Sequence, residues 1–86
     1  MDNKALSKAI EIVGSQAELA RRVGGTVKQA HVWNWLHRER IVPADCVLAV
    51  AGATEWRVTP HQLRADIYPH PFDGLPSHLR TEQAAA

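Results

Sequence analysis

Two helix-start signals, separated by a pair of glycines, occur in the segment SQAELARRVGGTVKQ. Ser15 and Glu18 have the S-x-x-E spacing of a capping box, in which each side chain satisfies a free backbone N–H of the other residue. Thr26 and Gln29 repeat this spacing as T-x-x-Q. The intervening glycines can adopt the left-handed conformation that ends a helix. The segment is therefore predicted to form two consecutive helices joined by a glycine-containing turn.

The predicted lengths of these two helices are typical of a helix-turn-helix. Helix 2 is predicted over about residues 15–23, and helix 3 over about residues 27–38. A short helix, a glycine-bearing turn and a longer second helix form the motif whose second helix enters the DNA major groove. Helix 3 is therefore the candidate recognition helix.

Apolar periodicity predicts another helix before this pair. Residues 3–13 carry apolar side chains at three- and four-residue intervals, which is the spacing of one buried helix face. Gly14 is expected to end this first helix in the left-handed conformation. The predicted buried face consists of Leu6, Ala9, Ile10 and Val13.

Two more helices are predicted after helix 3. Helix 4 should begin near Pro43, which fits a first helical turn, and should end at Gly52. Its predicted inner face consists of Val47, Leu48 and Ala51. For helix 5 the predicted cap, first residue and inward residue are Thr59, Pro60 and Leu63.

The whole chain is thus predicted to be an all-α protein with one folded domain. The five helices lie within residues 1–71. Pro69 and Pro71 end regular structure, and the residues after them lose the apolar period. Residues 72–86 are therefore predicted to form a flexible C-terminal tail.

The composition is that of one small soluble domain. The chain has 86 residues, of which 45% are hydrophobic and 22% are charged. No apolar run approaches the ~20 residues that a membrane span requires. The N-terminal segment begins with an acidic residue and lacks a signal-peptide cleavage pattern. We therefore expect a cytoplasmic protein without a membrane partner.

The charges are unevenly distributed along the chain. Residues 1–42 contain seven Lys or Arg and four Asp or Glu, a net charge of +3. Residues 43–86 contain three Lys or Arg and five Asp or Glu, a net charge of −2. A basic N-terminal half favours contact with phosphates.

The sequence lacks the patterns of metal, cofactor and catalytic sites. Cys46 is the only cysteine, which excludes an internal disulfide and a cysteine-based zinc motif. The five histidines include no i, i+4 pair, and no glycine-rich phosphate loop is present. We therefore expect no metal, no cofactor and no enzymatic activity. Cys46 itself is expected to be a small buried residue of helix 4.

Helix 3 contains two tryptophans that cannot share one face. Trp33 and Trp35 are two positions apart, so their side chains point roughly 200° apart on an α-helix. Val32 and Leu36 lie on the same side as Trp35, which predicts that these three residues face the core. Trp33 is predicted to be half exposed, on the same flank of the helix as Gln29.

The predicted outward face of helix 3 suits a DNA major groove. Ala30 leaves room for a base and can touch a thymine methyl group, while Gln29 and Asn34 can each form two hydrogen bonds with adenine. His37 can reach guanine acceptors or phosphates. Flanking basic residues that can meet backbone phosphates are Arg21, Arg22, Lys28, Arg38 and Arg40.

Several segments, in this order along the chain, resemble one family of regulators. SQAELARRVG, QAHVWNWL, RIVPADCVLAVAGAT and RVTPHQLRADIYP are similar to segments of Cro-like helix-turn-helix repressors of the YdaS antitoxin type, which occur in prophages and bacterial chromosomes. The similarity covers roughly residues 5–69. It implies a five-helix Cro/repressor-like fold and a nucleoid-associated transcriptional regulator that binds double-stranded DNA as a homodimer.

The resemblance also implies which residues contact DNA. Gln16 would anchor helix 2 on a phosphate, and Lys28 would lie at the entrance of helix 3. The base-facing positions of helix 3 would be Gln29, Ala30, Trp33, Asn34 and His37.

Two features depart from the pattern of this family. The turn GGTVKQ is longer than the compact turn of most Cro-like proteins. Helix 3 is therefore expected to enter the groove at a shifted angle, which affects Lys28 and Gln29 most. Glu55 and Trp56 stand where small residues are usual, and Trp56 is expected either to cover the core or to lie in a subunit interface.

Some residues near helix 3 have two possible roles. Gln29 is either a DNA contact or the capping partner of Thr26. His31 is expected to pack or to contact a phosphate rather than to read a base. Arg21 and Arg22 either complement the helix dipole or contact phosphates.

Two hypotheses from different functional classes result. The first is a sequence-specific repressor that inserts helix 3 into the major groove of a palindromic operator. The second is an antitoxin or protein-interaction module that binds and neutralises a partner, such as a toxin or a phage regulator, through helices 4 and 5 or the tail. The acidic C-terminal half and Trp56 support the second hypothesis.

Overall fold

The helices lie close to their predicted positions. The computed structural model describes residues 4–79, and these residues contain no strand, so the all-α prediction is confirmed at this level. No helix in this range is both long enough and apolar enough to cross a membrane. A single 3-10 turn (Ala44–Cys46) leads into the fourth helix. The α-helices are α1 (Lys4–Val13), α2 (Gln16–Val23), α3 (Gln29–His37), α4 (Val47–Ala53) and α5 (Pro60–Leu63).

Helix α3, the predicted helix 3, packs chiefly against α2. Helix α2 also contacts α1 and α4, and α4 contacts α1 and α5, so α2 and α4 lie at the centre of the domain. Buried apolar residues from all of these helices form one core cluster. Five of the nine residues of α3 are exposed, and the fold therefore presents one side of this helix to solvent.

The start of α2 matches one half of its predicted capping box. Gly14 has a φ of 112° and ends α1, and Ser15 Oγ accepts the backbone N–H of Glu18 at 3.0 Å. The Glu18 carboxylate, however, binds the guanidinium groups of Arg21 and Arg22 rather than a backbone N–H. Three charge-assisted hydrogen bonds are stronger than one bond to a neutral amide, which explains the difference.

The start of α3 differs from its prediction. The helix begins at Gln29, and the connection from α2 is five residues long, residues 24–28. Lys28 occupies the N-cap position, and its backbone N–H donates to Nδ1 of His31 at 2.8 Å. Both glycines of the turn have positive φ, 80° and 61°, so the chain returns to helical conformation only after Thr26. The predicted capping pair of Thr26 and Gln29 is therefore wrong.

Helix α4 is shifted along the chain relative to its prediction. Pro43 precedes the 3-10 turn, and Gly52 lies inside the helix rather than at its end. Leu48 is 46% exposed, so its predicted place on the inner face is wrong. The buried stripe follows the three- and four-residue spacing from the true start of the helix. It consists of Val47, Val50 and Ala51.

A buried hydroxyl group closes the turn after α4. Thr54 Oγ1 donates to the Ala51 carbonyl at 2.8 Å and accepts the Val58 N–H at 3.0 Å. Glu55 and Trp56 follow with left-handed backbone, at φ 57° and 66°. Trp56 packs against the core cluster, which is the first of the two roles expected for it.

Helix α5 begins as predicted. Thr59 Oγ1 accepts the Gln62 N–H at 3.1 Å, Pro60 is the first helical residue and Leu63 is buried. The Gln62 side chain accepts the Thr59 N–H at 3.1 Å in return. A complete capping box therefore fixes the start of this short helix.

The chain after α5 packs on the domain as far as the structure describes it. Leu75 is buried, and Gly74 has a φ of 80°. A Cβ atom at Gly74 would lie 2.8 Å from Cγ of Pro60, so only glycine fits there. The packed part of the chain thus extends at least to Leu75, inside the segment predicted as a tail. Residues 80–86 of that segment, like residues 1–3, lie outside the described residues.

Candidate nucleic-acid interface

The two tryptophans of α3 have the opposite environments that were predicted for them. Trp35 is 5% exposed and belongs to the core cluster together with Val32. Trp33 is 46% exposed. Leu36 packs against the core but keeps part of its surface exposed. The core therefore holds α3 by one side, and Trp33 belongs to the side that faces solvent.

Gln29, Trp33 and His37 form a stripe along the exposed side of α3. They are four residues apart, so their side chains lie one helical turn from each other. The rings of Trp33 and His37 are in contact, with centroids 4.7 Å apart and planes tilted by 41°. Trp33 and His37 therefore form one continuous aromatic surface on this side of α3.

Ala30 and Asn34 form a second stripe beside the first. Ala30 is exposed and Asn34 is partly exposed. Within residues 4–79, the side-chain amides of Asn34 and Gln29 have no hydrogen-bond partner. An amide group carries both a donor and an acceptor, so both side chains can form paired hydrogen bonds with a ligand.

The N-terminus of α3 is open to an anion. The His31 N–H donates to the Lys28 carbonyl at 3.0 Å, whereas the Gln29 and Ala30 N–H groups of the first turn have no acceptor within residues 4–79. The Lys28 side chain has donors only, and it is exposed at this end of the helix. The helix dipole and the Lys28 ammonium group therefore both favour a negative ligand here.

Arg38 and Arg40 lie at the opposite end of α3. Arg38 is the C-cap residue, and Arg40 has a left-handed backbone with a φ of 57°. Both residues are exposed. Neither forms an ion pair within the described part of the chain. Their guanidinium groups are thus available to phosphates on either side of a groove.

Arg21 and Arg22 differ from these two arginines because an internal partner holds them. Hydrogen bonds from Arg21 and Arg22 to the Glu18 carboxylate lower the pKa of Glu18 to about 2. Arg22 Nη1 also donates to the Ala53 carbonyl at 3.2 Å. The sequence predicted that these two arginines either complement the helix dipole or contact phosphates. It did not predict this ion-pair cluster.

Gln16 lies on a different helix from the two stripes. It is the first residue of α2 and is partly exposed. Helix α2 packs against α3, which brings the two helices into one surface region. The phosphate contact that the resemblance implies for Gln16 remains a prediction.

One known protein family matches most of this chain. A family model described as bacterial toxin YdaS matches residues 6–72, a range that includes every candidate residue described above. The chain belongs to the YdaS family. The YdaS-type resemblance that was drawn from the sequence is thereby confirmed. No curated protein and no solved structure matches the chain.

In the part of this YdaS-family protein that the structure describes, Cys46 and the metal-ligating residue types do not form a second site. Within residues 4–79, no group of three or more His, Cys, Asp or Glu residues is arranged to hold a metal ion. Cys46 ends the 3-10 turn and is partly exposed, whereas full burial inside helix 4 was expected. Its partial burial and the neighbouring Asp45 raise the pKa of the Cys46 thiol. A raised pKa disfavours the reactive thiolate.

Two interactions around the interface of this YdaS-family protein were not predicted from the sequence. His31 caps α3, whereas packing or a phosphate contact was expected for it. Its position, third in the helix after the N-cap residue, is the local signal that could have indicated capping. Arg64 Nη1 donates to the Val42 carbonyl at 2.8 Å and so ties the loop after α3 to α5. The two residues are 22 positions apart, and no local pattern could reveal this bond.

Proposed function

We propose that this YdaS-family protein is a sequence-specific DNA-binding transcriptional regulator. It inserts α3 into the major groove of a palindromic operator and represses transcription by occupying that operator. The observation that carries the proposal is the exposed side of α3, where amide, aromatic and small side chains face solvent on a helix anchored by Trp35. Such a face matches the hydrogen-bonding groups and thymine methyl groups of the major groove.

The two stripes of α3 supply the base contacts in this proposal. The Asn34 and Gln29 amides bind adenine through paired hydrogen bonds. Ala30 allows close approach of the helix and touches a thymine methyl group. Trp33, in contact with His37, packs on a sugar or a thymine methyl group, and His37 reaches a guanine acceptor or a phosphate.

The phosphate contacts flank these stripes at both ends of α3. Lys28 and the first-turn amides bind a phosphate at one end, and Arg38 and Arg40 bind phosphates at the other. Gln16 adds a phosphate contact from α2. These contacts position the helix in the groove without reading sequence.

A single α3 reads only one half-site, so the regulator acts as a homodimer on DNA. Two copies related by a twofold axis place their recognition helices ~34 Å apart, which is one turn of B-DNA. The operator is therefore a palindrome, and binding to it is cooperative.

Footprinting on the region upstream of the protein's own gene tests the proposal. We expect a protected palindrome and an affinity that falls with salt, because each phosphate contact releases counterions. Lys28→Ala should weaken this binding, whereas Lys8→Ala, which removes the same charge from an exposed position on α1, should not. If the wild-type protein protects no segment and shows no salt-sensitive binding, the proposal is wrong.

Exposed apolar residues in the C-terminal half favour a second candidate, a protein-interaction module. Leu48 on α4 is 46% exposed, and Ile67 and Phe72 are each 42% exposed. This half of the chain also carries the net negative charge. Because the family is described as a toxin, and the resemblance implies an antitoxin, a protein partner fits either description.

Growth after induced expression separates the two candidates. If expression slows growth through DNA binding, Asn34→Ala should relieve the effect and Leu48→Ser should not. If a protein partner mediates it, Leu48→Ser should relieve the effect and Asn34→Ala should not. Both positions lie outside the buried core, so both variants should fold.

A further inference from the structure

The imidazole of His31 caps the N-terminal turn of α3, whereas the sequence predicted that the Thr26 hydroxyl group would cap it. Nδ1 of His31 accepts the backbone N–H of Lys28 at 2.8 Å. Thr26 carries the usual type of capping side chain but lies two residues too early, in the turn. His31 is at the third helical position, where a capping-box acceptor normally lies.

This hydrogen bond requires an unprotonated Nδ1 on the His31 ring. A nitrogen that accepts a hydrogen bond cannot carry a proton, so the proton of the neutral ring is on Nε2. A doubly protonated ring has two donors and no acceptor, and it cannot cap Lys28. The role therefore requires a neutral acceptor, which an amide oxygen can also provide.

The cap acts on the two residues whose DNA contacts depend most on the turn. Lys28 is held in extended conformation, at φ −117° and ψ 166°, and Gln29 is the first residue of the helix. If the first turn frays, both side chains lose their fixed positions at the entrance of α3. The residues one turn later, beginning with Trp33, are held by the core contacts of Val32 and Trp35.

We propose that His31 is a positioning residue for operator recognition. By accepting the Lys28 N–H, it fixes Lys28 and Gln29 at the start of α3 and does not itself read a base. This role rests on the proposed DNA-binding function, because Lys28 and Gln29 need fixed positions only if they contact an operator.

Three variants test the role through two measurements. The first measurement is hydrogen exchange of the Lys28 amide in the free protein, which reports the cap without DNA. The second is affinity for the operator and for random-sequence DNA of equal length. His31→Ala removes the acceptor, and His31→Gln retains one. Thr26→Ala is the control, because it removes a hydroxyl group that was predicted to cap the helix and does not.

We expect His31→Ala to speed Lys28 exchange and to lower operator affinity by up to about fivefold, which is the factor that corresponds to a typical lost cap. Affinity for random-sequence DNA should fall less, because it loses only the phosphate contact of Lys28 and not the base contact of Gln29. His31→Gln should restore both properties, and Thr26→Ala should alter neither. Rescue of Lys28 exchange by glutamine identifies capping, because this measurement is made without DNA and the amide oxygen of glutamine can accept the same N–H.

The outcomes separate failure of this role from failure of the proposed function. Unchanged Lys28 exchange in His31→Ala would overturn the positioning role alone. An equal loss of affinity for operator and random DNA, without rescue by His31→Gln, would make His31 a direct phosphate contact instead. A wild-type protein that binds no operator would overturn the proposed function, and the positioning role with it.

Discussion

The exposed side of α3 and the α4–α5 end of the domain use their polar side chains in different ways. At the α4–α5 end, Thr54, Thr59 and Arg64 all bind backbone groups. On the exposed side of α3, the Gln29 and Asn34 amides have no hydrogen-bond partner within the described range. Polar groups at the α4–α5 end thus stabilise the fold, whereas the Gln29 and Asn34 amides of α3 remain available to a ligand.

Asn34 shows that this difference has an energetic cost. Asparagine is a poor residue for a helix interior, and no hydrogen bond within residues 4–79 compensates for it. A buried polar group such as the Thr54 hydroxyl must be satisfied or the fold loses stability. Residues that lower helix stability and bind nothing internally are therefore the best candidates for an external contact.

The largest expected effect comes from removing the buried tryptophan of α3, in comparison with the exposed one. Trp35→Ala should reduce the free energy of unfolding by about 3–5 kcal/mol, because it removes a buried indole and leaves a cavity. Trp33→Ala should reduce it by less than about 1 kcal/mol, because most surface substitutions have small effects. Urea unfolding of both variants measures the two values.

Equal losses in these two variants would break the comparison. They would mean that Trp33 is packed in solution, against the long turn or a second copy of the chain. A dependence of the Trp33→Ala loss on protein concentration would identify the second copy as the cause.

The next effect concerns the buried hydroxyl group of the α4–α5 end. Thr54→Val keeps the shape of the side chain but leaves the buried Val58 N–H without its partner, while the Ala51 carbonyl keeps its backbone donors. We expect a loss of about 1–3 kcal/mol in the free energy of unfolding. The matched control Thr26→Val, at an exposed position, should change it by no more than about 0.5 kcal/mol. Similar values for both variants would show that the Thr54 bonds add little.

The elements that were predicted correctly have their determinants close together in the sequence. Ser15 and Thr59 cap the helices that follow them, and Trp35 and Trp33 take opposite sides of α3, as spacing alone required. Each of these predictions depends on residues within one or two helical turns. Local spacing therefore predicted most of the fold and the orientation of the candidate recognition helix.

The wrong predictions come from competition between alternatives that are locally equivalent. Thr26 and His31 both offer an acceptor near the start of α3, and because the helix begins at Gln29 it is His31 that reaches the N–H of the N-cap residue. Leu48 was assigned to the inner face beside Val47 and Ala51, but Val50 takes that place and Leu48 is exposed. The bond between Arg64 and the Val42 carbonyl depends on the tertiary fold, which a local pattern cannot contain.

A third prediction sharpens the comparison at the level of binding. Asn34→Ala should cost roughly 1–3 kcal/mol of discrimination at one base position of the operator. It should leave the free energy of unfolding unchanged or raise it slightly, because alanine is the better helix residue. Affinity for operators with each base at each position measures the first effect, and urea unfolding the second.

Arg38→Ala provides the contrast to Asn34→Ala within the same interface. It should weaken binding to all DNA sequences alike and reduce the slope of log affinity against log salt by about 1. A change of base preference in Arg38→Ala, or none in Asn34→Ala, would show that the assignment of α3 faces is wrong.

The smallest expected effect concerns the ion-pair cluster of α2. The pKa of Glu18 is lowered from 4.5 to about 2 by its hydrogen bonds to Arg21 and Arg22. An acid whose pKa is lower in the folded state stabilises the fold while it is ionised. The contribution of Glu18 should therefore be complete above about pH 4.5 and should be lost as the pH falls towards 2.

Comparison of the wild-type protein with Glu18→Gln across this pH range measures the contribution. We expect the wild type to be slightly more stable at neutral pH, and the difference to shrink on acidification and in high salt, because the cluster is exposed. Glu11→Gln is the matched control, since Glu11 is exposed on α1 and forms no ion pair within residues 4–79. A difference for Glu18→Gln that does not vary with pH would mean that Arg21 and Arg22 are not held by Glu18 in solution. Both arginines would then join Arg38 and Arg40 as groups available to phosphates, and the basic surface beside α3 would be larger than the structure indicates.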